Sequence, residues 1–293
     1  METIKKFARY YKPHLKLFII DLICAFGVAA CNLVYPKVAG KMIETANLNY
    51  VLLFSAILLG IFTLKAFLLY VVTYWGHVVG VRIQGDMRDE LFRHLQKLPF
   101  SYYDETKTGS IMSRLINDLF EVSELAHHGP EDLFLSVITI IGTLIMVGFI
   151  NPWLAVIFII IIPIIIVIAV KLRLSLMEAF KRSREKTSEI NAAVESAVSG
   201  IRVSKAYNAE AHENQKFANA NEELKKARSW QYKSMSNFMV VMNYAMDILY
   251  LCAFLAGGIF YANSLISASD LTTYVLYVAM LIAPIRKIGR AHV

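Results

Sequence analysis

The chain has 293 residues, of which 57% are hydrophobic and 18% charged, and its mean hydropathy is +0.50. Soluble domains carry about 25% charged residues, so this composition excludes an ordinary soluble domain and indicates a membrane protein. The net charge at pH 7 is +7, which raises the alternative of nucleic-acid binding.

Six apolar windows follow one another along the sequence. A helix needs roughly 20 residues to cross about 30 Å of hydrocarbon, so the first five windows can span and the sixth is short. The sequence predicts an all-α polytopic membrane protein with six transmembrane helices, the last incomplete. The windows are residues 15–35, 51–75, 133–150, 153–170, 238–261 and 271–285.

The basic residues are distributed unevenly. Four of the thirty Lys and Arg residues lie in residues 1–14, six in 76–132 and thirteen in 171–237. Positive charge near the ends of spans marks the cytoplasmic side. We therefore expect a multi-pass protein of the cytoplasmic membrane with its N-terminus and both long connections in the cytoplasm. This orientation explains the net positive charge of the chain, and we expect no nucleic-acid partner.

The two long connections keep a helical pattern. After Trp75, apolar residues such as Ile83, Met87 and Leu91 recur at helical steps, and a comparable pattern runs from Trp153 to Ser204. The second stretch would form a helix about 80 Å long. We expect long cytoplasmic helical extensions that pack together as a bundle, because amphipathic helices in water need partners.

Each extension is predicted to reverse at a short polar stretch, 101–110 or 204–215, and Pro99 and Gly109 frame the first break. Aromatic residues at such tips suit a docking surface, and the alternative is two solvated hairpin tips. The aromatic residues are Tyr102, Tyr103 and Tyr207.

Few ionisable groups lie inside the windows, where each needs a partner or an aqueous cavity. Asp21 and Lys65 both fall in the predicted inner half, so an ion pair is possible. The alternative is that Lys65 extends towards the interface while Asp21 faces a wet cavity.

The fifth window holds a second group of candidates for lining a translocation pathway. Polar residues there adjoin methionines, which suit adaptable contact with an amphipathic cargo, although such stripes also occur in plain packing. The pathway-lining candidates are Asp21, Lys65, Asn243, Tyr244, Met246 and Asp247.

Two adjacent histidines, His127 and His128, raise the question of a metal site. Neighbouring residues on a helix point about 100° apart, and the sequence places no third His or Cys beside them. We expect no metal site and, in the absence of a Ser/His/Asp or Cys/His set, no catalytic residues. Gly76 and Gly80 form a GxxxG whose expected use is helix packing.

The strings LPFSYYDETKTGSIMSRLINDLFEV and EINAAVESAVSGIRVSKAYNAEAHENQKF closely resemble the transmembrane domain of type IV ABC exporters, the multidrug and lipid flippase-like class. The resemblance runs from KKFARYYKPHLK, similar to the family's interfacial elbow helix, to LIAPIRK in the sixth window. It implies an elbow helix at 1–12 and a transmembrane domain at 13–287.

The resemblance also implies two coupling helices that dock on nucleotide-binding domains, at residues 100–108 and 205–213. The second would reach the nucleotide-binding domain of the opposite subunit. The coupling residues carried over by motif are Phe100, Tyr102, Tyr103, Asp104, Thr108, Ala206, Tyr207, Asn208 and Glu210.

One departure from the family concerns ATP. The 293 residues contain no GxxxxGK[ST] and no LSGGQ-like segment, so we expect no cofactor and no catalysis in this chain alone. ATP and Mg²⁺ are expected in a nucleotide-binding domain that normally follows the sixth helix on the same polypeptide. The ending IGRAHV, residues 288–293, matches what a sequencing adapter encodes in frame, so we expect a truncated gene with a non-native tail.

The resemblance predicts the permease part of an ATP-driven exporter that moves hydrophobic or amphipathic compounds, such as a drug, lipid or peptide, by alternating access. Its expected partners are a second half-transporter, identical or paralogous, a nucleotide-binding domain, the lipid bilayer and a small hydrophobic substrate. Two alternatives remain at this stage: an ATP-independent secondary carrier or channel, and a membrane scaffold that transports nothing.

Overall fold

The computed structural model describes residues 6–44 and 47–289, and all regular structure within them is helical. The predicted all-α class is thereby confirmed. The elements are a 3₁₀ helix, Arg9–His14, and α1 Leu15–Glu44, α2 Leu48–Leu95, α3 Phe100–Glu105, α4 Thr108–Ser113, a π-helical turn Arg114–Asp118, α5 Leu119–Ile150, α6 Pro152–Ser199, α7 Ile201–Ala206, α8 Glu210–Ala262 and α9 Ala268–Gly289.

The predicted spans correspond to helices. Within the described ranges, α1, α2, α5, α6 and α8 each contain an apolar stretch long enough to cross a membrane, and the apolar part of α9, Ala268–Ile282, is shorter. These long apolar helices confirm a membrane protein with the expected five long spans and one short apolar helix.

The long helices also continue beyond their apolar windows, as predicted. The 48 residues of α2 and of α6 and the 53 residues of α8 correspond to about 72, 72 and 80 Å at 1.5 Å per residue. One detail is corrected, because the helix expected from Trp153 to Ser204 stops at Ser199. Gly200 has φ −88° and ψ 9°, outside the α-helical well, and α7 begins after it.

The first tip contains a break at Pro99, which has ψ 158° and precedes α3. The expectation that Gly109 frames the other side is wrong. Thr106 and Lys107 are the extended residues, with ψ 121° and 128°, so α4 starts at Thr108 and contains Gly109. In the π-helical turn that follows, the Leu115 carbonyl accepts a hydrogen bond of 3.1 Å from Nε of Arg88 on α2.

At the second tip the short helix lies earlier than the expected 205–213, because α7 ends at Ala206. Asn208 has φ 51°, the left-handed region that Asn tolerates better than most residues, and this reverses the chain. Glu210 then begins α8, where acidic groups in the first turn complement the helix dipole.

The chain forms two compact units, described here separately. Unit 1 comprises residues 1–155 and 255–284, and unit 2 comprises 156–254 and 285–293. In unit 1, α2 packs against α1 and α5. Its core includes Val79, Ile83 and Ala126, against which Phe7 and Tyr11 of the N-terminal segment pack.

The N-terminal segment is fixed by polar contacts as well. The hydroxyl of Tyr10 donates to Glu90 at 2.7 Å, Arg9 donates to the same carboxylate at 2.8 Å, and the hydroxyl of Tyr11 donates to the Ala126 carbonyl at 2.6 Å. The hydrogen bonds from Tyr10 and Arg9 lower the pKa of Glu90 below its usual value. The predicted elbow helix at 1–12 overlaps this segment, although residues 1–5 lie outside the described residues. Residues 290–293 of the expected tail at 288–293 lie outside them too.

The close contact of α1 with α9 depends on a glycine, Gly40. The hydroxyl of Tyr277 donates to the Leu33 carbonyl at 2.7 Å, and that of Thr273 to the Pro36 carbonyl at 3.3 Å. A β-carbon on Gly40 would overlap the Thr273 hydroxyl and lie 3.0 Å from the Ser269 carbonyl oxygen. Only glycine therefore allows this approach.

We predict that Gly40→Ala lowers the stability of the purified protein in detergent by about 1–3 kcal/mol, the usual cost of overpacking. The thermal unfolding midpoint measures this. Gly60→Ala is the matched control, since nothing lies within 4 Å of a β-carbon there. Equal midpoints for the two variants would contradict the packing described.

Candidate coupling tips and membrane-embedded polar residues

The first tip presents an aromatic side chain to solvent. Phe100 begins α3 and is 89% exposed. Asp104 and Thr108 are also exposed, and Tyr102 is half-buried. The structure thus brings together the five candidates of this tip on α3 and at the start of α4.

Tyr103 has a structural contact that the sequence did not indicate. Its hydroxyl donates to the carbonyl of Leu95 at the end of α2, and its ring contacts that of Tyr102 edge-on with a centroid distance of 5.3 Å. The last carbonyls of a helix have no partner within the helix, and this one accepts from Tyr103 in addition to the Leu98 amide. Tyr103 therefore fixes the short helix α3 relative to the rod formed by α2.

The second tip exposes Tyr207, whose side chain is 80% exposed, between α7 and α8. Ala206, Asn208 and Glu210 are exposed around it. The arrangement leaves an aromatic ring at a tight turn, between the short helix α7 and the long helix α8.

The extensions of α6 and α8 in unit 2 are joined by charged and aromatic side chains. The guanidinium of Arg182 lies 5.8 Å from the centre of the Trp230 ring. A hydrogen bond from Lys226, with smaller contributions from Lys186 and Arg182, lowers the pKa of Glu223 below its usual value. The Lys226 bond lies within α8, whereas the contact of Arg182 with Trp230 and the attraction of Lys186 and Arg182 for Glu223 link α6 to α8.

The possible ion pair between Asp21 and Lys65 is not formed. Asp21 is 1% exposed, and neither of its carboxylate oxygens has a hydrogen-bond partner. Its neighbours are His127 and Glu131. His77 on α2 lies at the level of this group. Lys65 precedes His77 by twelve residues on α2, about 18 Å along the helix axis, so Lys65 is too far from Asp21 to pair with it. Asp21 is buried in protein, so the alternative of a wet cavity does not describe it either.

The candidates on α8 divide between two faces. Asn243, Tyr244 and Asp247 are exposed, with Tyr244 at 65%. Met246 is 2% exposed and Met242 6%, so both methionines lie on the buried side. The polar group and the methionines therefore do not share one surface of this unit.

A third histidine lies beside His127 and His128, contrary to the expectation from the sequence. It is His77 on α2, whose ring centre is 4.7 Å from that of His127. A β-carbon on Gly76 would overlap the His127 ring, and one on Gly80 would lie 3.2 Å from the Ser123 carbonyl oxygen. The GxxxG thus permits close packing of α2 on α5, and its position beside His77 was the available sign that His77 lies against α5.

Comparisons with known proteins agree with this architecture. A sequence model of the family described as ABC transporter transmembrane region matches residues 17–285. The chain is 36% identical over 290 residues to an uncharacterised ABC transporter ATP-binding protein, YwjA, of Bacillus subtilis (strain 168), covering 98% of this chain and 50% of that protein.

Two further relatives are named ATP-dependent lipid A-core flippases. The protein of Syntrophus aciditrophicus (strain SB) is 26% identical, covering 76% of this chain and 38% of its own length. That of Thiobacillus denitrificans (strain ATCC 25259 / T1) is 23% identical, covering 95% and 49%. The chain spans about half the length or less of these relatives.

We predict that Tyr103→Phe loosens α3 by about 1 kcal/mol, the typical net value of one hydrogen bond. Hydrogen exchange of the amides in 99–106 should become faster. Tyr102→Phe is the control, because it keeps the ring contact and removes a hydroxyl that has no hydrogen bond in the described part of the chain. Equal exchange in both variants would contradict the anchoring role.

Proposed function

This chain belongs to the family of ABC transporter transmembrane regions, and we propose that it forms the membrane-spanning part of an ATP-driven exporter. The observation that carries the proposal is the continuity of the long helices beyond their apolar stretches to tips that expose Phe100 and Tyr207. A rod of this length can move a membrane segment when force is applied at its far end.

The partner at these tips is a nucleotide-binding domain that holds ATP and Mg²⁺. Exposed aromatic side chains are favoured as anchors in protein interfaces, because they bury a large area at small entropic cost. Phe100 and Tyr207 supply such anchors, and Tyr103 keeps α3 oriented for docking. ATP-driven closure of two nucleotide-binding domains would move both tips and switch the access of the pathway from one side to the other.

A second half-transporter, either another copy or a paralogue, completes the pathway. The exposed group of Asn243, Tyr244 and Asp247 on α8 supports a surface that faces the pathway or the partner, since polar groups at this depth are costly against lipid. The protein would lie in the cytoplasmic membrane with both tips and the N-terminus in the cytoplasm, as the Lys and Arg distribution favours.

The proposed cargo is a hydrophobic or amphipathic compound. The relatives named lipid A-core flippases support a lipid-like molecule, and the few buried charges make a strongly ionic solute unfavourable. Tyr244 would offer an aromatic ring to the apolar part of such a cargo, and Asp247 a polar contact to its headgroup.

The coupling between the tips and the nucleotide-binding domain is tested with the complete transporter reconstituted in liposomes. We predict that Phe100→Ala and Tyr207→Ala each weaken docking by about 2 kcal/mol. Flipping of a fluorescent phospholipid analogue and export of a hydrophobic dye should fall severalfold. The ATPase activity should no longer respond to these compounds.

Matched controls remove exposed aromatic side chains from the same rods. Phe92 on α2 is 54% exposed and Tyr232 on α8 is 57% exposed, and both lie away from the tips. Phe92→Ala and Tyr232→Ala should keep transport. If all four variants behave alike, or if the complete protein shows ATP-independent transport, the proposed coupling is wrong.

A further inference from the structure

Five ionisable side chains from three helices of unit 1 meet at one level, and we call them the histidine–carboxylate cluster. One potential ligand atom from each of the three histidines lies within 4.8 Å of the other two, and the same holds for Asp21, His127 and Glu131. His127 belongs to both groups. The members are Asp21 on α1, His77 on α2, and His127, His128 and Glu131 on α5.

The three imidazole rings are closely arranged. The centroid distances are 4.7 Å for His77 and His127, 5.4 Å for His77 and His128, and 4.6 Å for His127 and His128. The missing side chain of Gly76 gives the His127 ring its space. Neighbouring positions on one helix usually diverge, but here α2 comes close enough to α5 for His77 to reach both.

A carbonyl or carboxylate oxygen lies near one ring nitrogen of each histidine. Nδ1 of His77 lies 2.6 Å from the Thr73 carbonyl oxygen and donates to it, which leaves Nε2 with a lone pair. Nδ1 of His127 lies 3.4 Å from Glu131, and Nε2 of His128 lies 3.5 Å from Glu124. A carbonyl or carboxylate at one nitrogen is the usual arrangement around a metal-binding histidine, because it orients the other nitrogen towards the ion.

Asp21 supplies an independent observation. It is 1% exposed, and both of its carboxylate oxygens lack a hydrogen-bond partner. A buried carboxylate without compensation is costly. A cation among the histidines would offset that cost, and a carboxylate oxygen of Asp21 lies within 4.8 Å of a ring nitrogen of His127, one of the three.

We propose that the histidine–carboxylate cluster binds one divalent transition-metal ion, with His77, His127 and His128 as nitrogen ligands and Asp21 as the carboxylate ligand. Imidazole nitrogen favours Zn²⁺, Ni²⁺ or Co²⁺ over Ca²⁺ and Mg²⁺, which prefer oxygen ligands. Bonds of 2.0–2.1 Å to Zn²⁺ in tetrahedral geometry place ligand atoms about 3.4 Å apart. The histidine nitrogens already lie within 4.8 Å of one another, so the three rings need to move together by about 1.4 Å at most.

The ion has access to the cluster and would connect the three helices. The His77 side chain is exposed at the surface of this chain and His128 is half-buried, so two of the ligands can be reached from outside the unit. Bound metal would join α1, α2 and α5 in unit 1. The proposal does not depend on transport, since it concerns binding by residues of this chain alone.

The test uses the full chain, purified in detergent, treated with a chelator and kept free of nucleotide. Co²⁺ is titrated while the visible absorption bands of a tetrahedral cobalt complex are followed, and Zn²⁺ is then added as competitor. We expect one saturable Co²⁺ site per chain that Zn²⁺ displaces. Zn²⁺ should also raise the thermal unfolding midpoint.

The variants assign the site to the cluster. His77→Ala and His128→Ala should weaken Co²⁺ binding by at least about 100-fold, since the loss of partners outside the ligand shell alone costs about 10- to 100-fold. Asp21→Asn should weaken it as well. His94→Ala is the control, because it removes an exposed histidine of α2 outside the cluster.

The His77→Ala variant separates loss of metal binding from misfolding. Its side chain is exposed, so His77→Ala should elute and unfold like the wild type in the absence of metal. Absence of a saturable cobalt spectrum in the wild type would overturn the proposal. Unchanged affinity in His77→Ala and His128→Ala would overturn it too, as would an equal loss in His94→Ala.

Discussion

Hydrogen bonding of the backbone in an apolar medium is the constraint on which this architecture depends. Lipid offers no partner for a free peptide group, so backbone that faces lipid must be hydrogen-bonded within a continuous helix. In the described residues, every interruption of a helix, including those at Pro99, Asn151 and Gly200, falls outside the six apolar windows. Because α2, α6 and α8 also continue beyond their apolar windows, each of these stiff helices joins a membrane segment to the neighbourhood of a tip.

Close approach of helices is the second organising feature of unit 1. Gly76 and Gly80 bring α2 against α5, and Gly40 brings α1 against α9. At both places polar side chains accompany the small residue: His127 at Gly76, and Thr273 at Gly40. Tight backbone packing and polar contact therefore occur together, which fixes the register of the helices more strongly than apolar packing alone.

The sequence predicted the helices well, because apolar windows and helical periodicity depend on neighbours within one helix. It predicted the breaks less well. The extended backbone at Thr106 and Lys107 and the left-handed Asn208 moved the ends of α3 and α7 away from the expected positions. Such shifts of a few residues depend on local backbone angles that composition does not determine.

The membrane-embedded polar groups were the least predictable. Counting residues from the window ends placed Asp21 and Lys65 in the same half of the membrane, but contact requires the same level and facing sides. His77 was missed for a related reason, since its neighbours are fifty residues away along the chain. The GxxxG beside it indicated close helix packing, but not that the facing residue was a histidine.

The anchoring of the N-terminal segment sets an order of events during synthesis. Arg9 and Tyr10 hold Glu90, and Tyr11 holds the carbonyl of Ala126. At about 5–20 residues per second, a ribosome needs roughly 4–16 s to go from the first of these partners to Glu90. The start of the polypeptide must therefore wait, already translated, until α2 has emerged before it can contact Glu90, and until the first part of α5 has emerged before it can contact Ala126.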